Sequence, residues 1–262
     1  MIPATGLCVG LDLDTNHLPI PLPATLDGML AFGRMIVDAT RHVATCYKLN
    51  SAFYERHGRG GIDVLYALRE HIGTHYVILD AKRGDIGTTS SAYADFAFGD
   101  FGADAVTVAP YMGRDSVEPF LDVPDKMVYV LALTSNQGSN DFQRLDVNGR
   151  PLWRHVIDVV DSWPRRGSLG FVVGATHAAE LSAIRSDVGG VPLLIPGIGA
   201  QGASAPDVAL ANGGHPAVFN VSRGIARAAL DGNDPAVAIQ KAAEELAAQL
   251  AGTLSSFNDA RF

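Results

Sequence analysis

Short apolar runs recur along the chain, separated by stretches in which apolar residues return at helical spacing. The runs are too short for helices and rich in β-branched and aromatic residues, so they read as strands. Residues 7–13 (LCVGLDL) are the first, with Asp12 near its end. After a proline-containing loop, Leu26, Leu30, Ile36 and Val37 mark a helix over 26–44. Residues 45–53 (TCYKLNSAF) are a second strand carrying Lys48, followed by a helix over 61–73. The third strand begins at 76–79 (YVIL), and a helix rich in small and aromatic residues follows over 88–101. Strands at 105–111 (AVTVAPY) and 126–134 (KMVYVLALT) flank a helix at about 113–121. A long polar loop, SNQGSNDFQRLDVNGR, occupies 135–150 before a helix over 151–163. Strands at 170–175 (GFVVGA), 191–196 (VPLLIP) and 217–222 (AVFNVS) alternate with helices at about 177–187 and 204–213. An Ala-rich helix over 235–251 comes last, and the tail 253–262 is weakly patterned.

Eight β-then-α units in alternation predict an α/β fold, a (β/α)₈ barrel forming a single domain over 1–262. The 262 residues suit that architecture. An open doubly wound sheet is the alternative; one that binds a dinucleotide carries a Gly-rich loop after its first strand, and GLDLDTN is not one. In a parallel barrel, chemistry sits where strands end and the following loops begin. Asp12, Lys48, Asp80, Lys82, Ser135, Gln201 and Arg223 all fall at or near that end.

The stretch with most chemistry is residues 76–91, YVILDAKRGDIGTTSS. Its apolar start runs into Asp80, Lys82, Arg83 and Asp85 within six residues, a charge density that packing explains poorly. On a regular strand Asp80 and Lys82, at i and i+2, point to one face. Asp85 lies beyond, between Gly84 and Gly87, where the chain turns toward a helix. Lys48, on the neighbouring strand, reaches the same volume, giving an alternating Lys–Asp–Lys–Asp array. Such an array holds a proton donor in place and presents a carboxylate to a substrate. Two like charges ~4 Å apart repel by roughly 4 kcal/mol at an effective dielectric near 20, so a substrate carboxylate beside Asp80 gains from leaving as CO₂. A salt-bridged strand end and a Mg²⁺ site held by the two carboxylates are the rival readings. The interleaved lysines speak against the metal, because they already neutralise the carboxylates.

Near the end of the barrel, PGIGAQGAS (196–204) precedes a helix, and Ser222, Arg223 and Gly224 follow the eighth strand. The loops after strands seven and eight are the recurrent phosphate site of this fold. Backbone N–H groups of the Gly-rich turn that follows Pro196 and holds Gln201 and Gly202, and of the helix N-terminus after it, favour an anion, and Arg223 can grip a phosphate through two hydrogen bonds. Ser135 and Asn136, opening the long loop, offer polar groups to a heterocycle, and such a loop can act as a lid. Tyr111 and Met112 read as packing residues, and the eight histidines show no ligand spacing.

Composition narrows the partners. A hydrophobic fraction of 47% and a charged fraction of 18% suit a large core and exclude disorder. Net charge −8, with no Lys/Arg-rich run, excludes broad nucleic-acid or acidic-membrane binding. The only cysteines, Cys8 and Cys46, lie in predicted strands, which suits a reducing compartment. There is no charged region ahead of an apolar N-terminal stretch and no apolar run near the ~18–20 residues of a membrane span, so a soluble cytoplasmic protein is expected.

At these residues the chain resembles the orotidine 5′-phosphate decarboxylase family. DAKRGDIGTT matches the family's Asp-x-Lys-Arg-x-Asp-Ile-x-x-Thr pattern, with PGIGAQG and SRGI later and Asp12 and Lys48 upstream in the expected order. TSNQG is similar to the family's serine-containing loop after strand five, and the length is closest to the longer, bacterial-type subgroup. That subgroup commonly has proline where Gln137 stands, so Gln137 receives no role. The resemblance implies decarboxylation of orotidine 5′-phosphate to UMP in pyrimidine biosynthesis, without metal or organic cofactor. It implies that Lys82 protonates C6, that Asp80 faces the departing carboxylate, and that Lys48 and Asp85 complete the array. Asp12 would bind ribose with Lys48, Ser135 the pyrimidine, Gln201 base and phosphate, and Arg223 the phosphate. It implies a homodimer in which Asp85, Ile86 and Thr89 reach the partner's site. The alternatives are a Mg²⁺-dependent sugar-phosphate decarboxylase or hexulose-phosphate synthase on the same barrel, and a catalytically inactive nucleotide-binding barrel.

Overall fold

The protein is described from a computed structural model over residues 3–174, 178–198, 204–231 and 234–259. Eight parallel strands close into a barrel: β1 (Gly6–Gly10), β2 (Cys46–Asn50), β3 (Tyr76–Arg83), β4 (Ala105–Val108), β5 (Met127–Leu133), β6 (Ser168–Val173), β7 (Leu193–Pro196) and β8 (Ala217–Val221). Each pairs with its sequence neighbours, and β8 pairs back onto β1 through Gly6↔Val218 to Val9↔Val221. Crossover helices cover the outside: α1 (Leu26–Thr40), α2 (Gly58–Ile72), α3 (Gly87–Ala94), α4 (Arg114–Leu121), α5 (Leu152–Asp161), α6 (Ala178–Val188), α7 (Ala205–Ala211) and α8 (Pro235–Asp259). The predicted barrel is therefore the observed architecture.

Alternation along the strands creates two apolar regions. Outward residues such as Val9, Leu49, Val77, Val106 and Phe219 pack under the helices in one large cluster. Inward residues Cys8, Cys46, Ile78, Met127, Tyr129, Leu194 and Val218 fill the lower barrel in a second cluster. This matches the layered interior of the fold. Both cysteines are buried, free and opposite one another in the β1–β2 register.

Several boundaries differ from the pattern-based expectation. β1 ends at Gly10, which leaves Asp12 in the loop just above it. β4 ends at Val108, and Tyr111 is almost fully exposed rather than packed. The loop at 135–150 contains a 3₁₀ turn, Gln137–Asn140, and a two-residue ribbon pairing Asp146–Val147 with Arg150–Pro151. The last helix continues through the weakly patterned tail to Asp259. Leu250, in its second half, is buried and Leu254 packs against the core, an anchorage that a falling hydrophobic periodicity does not reveal.

Candidate active site

The strand register sets the heights of the side chains in the barrel mouth. Lys48 lies level with Ile78, and Asn50 lies level with Asp80 one step higher. Lys48 Nζ consequently rises to donate to Asp80 Oδ2 at 2.7 Å, and it lies 3.5 Å from Asp12 Oδ1. Lys82 Nζ donates to the other oxygen, Asp80 Oδ1, at 2.5 Å. Asp12, Lys48, Asp80 and Lys82 thus form a continuous line of alternating charge. Lys48 and Asp80 are buried, whereas the Lys82 side chain is 44% exposed at the mouth.

Asp80 and Lys82 do not meet by simple strand alternation. Between β3 and β4 the register jumps from Leu79↔Val106 to Arg83↔Val108, so Asp80, Ala81 and Lys82 together oppose the single residue Thr107. Lys82 sits at φ 47°, in the left-handed region that a non-glycine residue rarely adopts. This bulge bends the lysine back over Asp80. Thr107, buried in β4, donates to Asp80 Oδ1 at 2.8 Å and accepts from the Lys82 backbone N–H at 3.0 Å. Sequence reasoning missed Thr107. Its one signal is that it is the sole polar residue of a four-residue buried strand.

Electrostatics favour the ionised array. Burial alone would raise the Asp80 pKa, but the Lys48 and Lys82 ammoniums outweigh it by charge and by hydrogen bonding, holding the carboxyl well below the usual range. Burial likewise opposes the charge on Lys48, and Asp12 and Asp80 together overcome it and push its pKa above the ordinary lysine value. The buried ions persist because each is paired.

Asp85 does not join this array within one chain. It is only partly buried, and its Oδ1 accepts from the next backbone N–H, Ile86, at 2.8 Å. Ile86 and Thr89 are exposed beside it. Arg83 turns away from the cavity, pairing with Glu55 and lying over the Tyr93 ring at 5.2 Å. The motif therefore splits: Asp80 and Lys82 face the barrel, Arg83 fastens the loop to its neighbours, and residues 85–89 lie on the surface.

Two adjoining cavities open over the array. One, about 210 Å³, is lined by Asp12, Lys48, Asn50, Asp80, Ser135, Pro196, Asn220, Ser222 and Arg223. The other, about 190 Å³, adds Lys82, Thr107, Thr134 and Asn136. Sequence reasoning also missed Asn50, Asn220 and Thr134, polar residues at strand ends. A further cavity of about 270 Å³, between the loops after β1 and β8, shares Asp12, Ser222 and Arg223. Two glycines allow this shape. A Cβ on Gly10 would lie 1.8 Å from Ser222 Oγ, and one on Gly174 would lie 2.6 Å from the Ser135 backbone nitrogen. Ser222 Oγ is buried and has no hydrogen-bond partner among the described residues, a group left available to a ligand. The expected Gln201 and Gly202 lie outside the described residues. Among the described residues there is no cluster of His, Cys, Asp and Glu suited to a metal ion, and no helix is long and apolar enough to cross a membrane.

The chain is similar to known proteins. The profile of the family described as Orotidine 5′-phosphate decarboxylase / HUMPS matches residues 5–242. The chain is similar to the orotidine 5′-phosphate decarboxylase of Herpetosiphon aurantiacus, 43% identical over 241 residues, covering 91% of this chain and 90% of that one. It is 49% identical over 201 residues to the enzyme of the same name from Azoarcus sp., covering 75% and 74% of the two chains. The structure of Leishmania donovani OMP decarboxylase superposes with a TM-score of 0.78 at 37% identity and 93% coverage of both chains.

Proposed function

The chain belongs to the orotidine 5′-phosphate decarboxylase / HUMPS family, and from that premise we propose that it converts orotidine 5′-phosphate to UMP and CO₂, a step of pyrimidine biosynthesis in the cytoplasm. The observation that carries this reading is the buried carboxylate of Asp80 held between two ammoniums at 2.7 and 2.5 Å in the barrel mouth. Relatives carrying the decarboxylase name at 43–49% identity favour it over the sugar-phosphate activities.

In this reading the phosphate sits by Arg223 and Ser222 Oγ, at the far side of the cavity from Lys82. Asp12 and Lys48 take the ribose hydroxyls, and Ser135 takes the pyrimidine. The substrate carboxylate is placed toward Asp80. While Lys82 lies on Asp80 it masks that charge. As Lys82 turns toward C6 its share of the mask is removed, Lys48 staying on Oδ2, and the two carboxylates repel more strongly. The C6–carboxylate bond breaks, CO₂ leaves, and the electron pair remains on C6. Lys82 delivers a proton to C6, becomes a neutral amine and is recharged from water. No metal or organic cofactor takes part. Phosphate binding remote from C6 supplies energy that positions the reacting ring. The active unit is a homodimer, in which the surface stretch Asp85, Ile86 and Thr89 completes the partner's site. The 57% exposure of Ile86 and the separation of Asp85 from its own chain's array support this arrangement.

The test follows orotidine 5′-phosphate absorbance with purified protein in a chelator, beside Lys82→Ala. Wild type turns over and the variant almost does not. Activity that disappears with EDTA overturns the reading in favour of a Mg²⁺-dependent relative. No turnover in either protein, with UMP still bound, identifies a binding-only barrel.

A further inference from the structure

We propose that Thr107 is a positioning residue for the reaction: its single hydroxyl anchors Asp80 so that Lys82 can release the carboxylate without displacing it. The inference rests on the decarboxylase reading above and concerns a residue which that reading does not need.

The direction of each hydrogen bond is forced. The Lys82 backbone N–H can only donate, and the ionised Asp80 carboxylate can only accept. One hydroxyl between them must accept from Lys82 N, at 3.0 Å, and donate to Asp80 Oδ1, at 2.8 Å. Thr107 therefore has no freedom to rotate its proton elsewhere. Its backbone position explains why it holds this place. It is the one β4 residue opposite the three-residue excursion of β3, where the ordinary ladder is interrupted between Leu79 and Arg83. The Lys82 N–H left over by that interruption finds the Thr107 side chain, and the left-handed backbone at Lys82 is secured.

The division of donors on Asp80 gives the anchor its function. Oδ2 holds Lys48, whereas Oδ1 holds both Lys82 and Thr107. When Lys82 swings to C6, Oδ1 would otherwise lose its only partner, and the carboxylate would be free to rotate after the ammonium. With Thr107 in place both oxygens stay occupied. Asp80 keeps its orientation toward the substrate carboxylate, and the lysine moves alone. A valine would fill the same buried space in the strand, with 1% exposure at this position, so packing does not demand the hydroxyl.

The experiment compares Thr107→Val and Thr107→Ser with wild type in steady-state turnover of orotidine 5′-phosphate, with UMP affinity measured in parallel. Thr107→Val is expected to lower kcat by about 10- to 100-fold, the range for a lost hydrogen bond to a charged group. KM and UMP affinity stay within about threefold, and Thr107→Ser recovers most of kcat. An unchanged kcat in Thr107→Val overturns the proposal, as does a Thr107→Ser variant as slow as the valine, which would assign the role to the methyl group. Should Thr107→Val not fold, Thr107→Ser against Thr107→Ala decides: equal rates refute the hydroxyl's role, and a faster serine variant supports it. A wild-type protein that does not turn over orotidine 5′-phosphate refutes the parent reading instead, so the two failures are distinct.

Discussion

Replacing Lys48 with methionine tests whether the buried array is held together as the geometry implies. Methionine fills the volume of the lysine stem and removes one charge. At an effective dielectric near 20, attraction of the ammonium to Asp80 at 2.7 Å is about 6 kcal/mol and to Asp12 at 3.5 Å about 5 kcal/mol. These are gross values, and most is offset by the cost of burying the ammonium, whose side chain is 4% exposed. Breaking a buried pair by removing one partner typically costs about 3–5 kcal/mol. The lower end applies, because Asp80 retains Lys82 and Thr107. About 3 kcal/mol corresponds to a fall of roughly 5–6 °C in Tm for a chain of this size. The pH dependence has a definite sign. Asp80 has a depressed folded pKa, so its ionisation stabilises the fold above its unfolded value near ~3.9 and stops doing so as pH falls through the folded value. Lys48 has a raised folded pKa, so its contribution is complete below ~10.4 and is lost as pH rises above that. The stability gap between wild type and Lys48→Met should therefore be flat from about pH 5 to pH 9 and narrow below about pH 4. Urea unfolding followed by circular dichroism at several pH values measures it. A gap below about 1 kcal/mol at neutral pH, or one that stays constant through about pH 3, refutes the reasoning.

Two further outcomes follow from the site. On the proposed homodimer with shared sites, mixing inactive Asp85→Ala and inactive Lys82→Ala chains under conditions of subunit exchange should restore up to about one quarter of wild-type activity per chain, because half of such dimers would be mixed and each mixed dimer would have one complete site; no recovery in a mixture shown to exchange removes Asp85 from the partner's site. Gly10→Ala should drive a methyl group into Ser222, 1.8 Å from its Oγ, raising KM for the phosphorylated substrate by about tenfold and lowering Tm by a few degrees, the range of a core overpacked by about 1–3 kcal/mol. Wild-type KM in that variant would show that Ser222 has no part in holding the anion.

The barrel was legible because each strand reads as a short apolar run and each helix as a periodic one, and neither signal depends on distant residues. Lys48, Asp80 and Lys82 were legible for a related reason: charge at the end of a buried strand has few structural explanations. What stayed hidden depends on register. Alternation predicts that Asp80 and Lys82 share a face, and they do meet, but through a bulge whose presence is set by how β3 and β4 align. Thr107 acquires its role only from that misalignment. Asp85 looks like a fourth member of the cluster in the sequence, yet the chain turns before it and its carboxylate is satisfied by the adjacent Ile86 N–H. Helix α8 runs past its visible periodicity because Leu250 and Leu254 find apolar partners elsewhere in the chain.

The apolar filling of the lower barrel has a consequence for traffic. Cys8, Cys46, Ile78, Tyr129, Leu194 and Val218 leave the array standing on a dry plug, and the cavities over it open at the upper end, where Lys82 is partly exposed. For the proposed reaction, nucleotide, CO₂ and the replacement proton all pass that upper end, the one opening among the described residues. They must use it in turn. In that reaction CO₂ slips out past the product or waits behind it, and the partly exposed Lys82 is recharged from the solvent above the same opening.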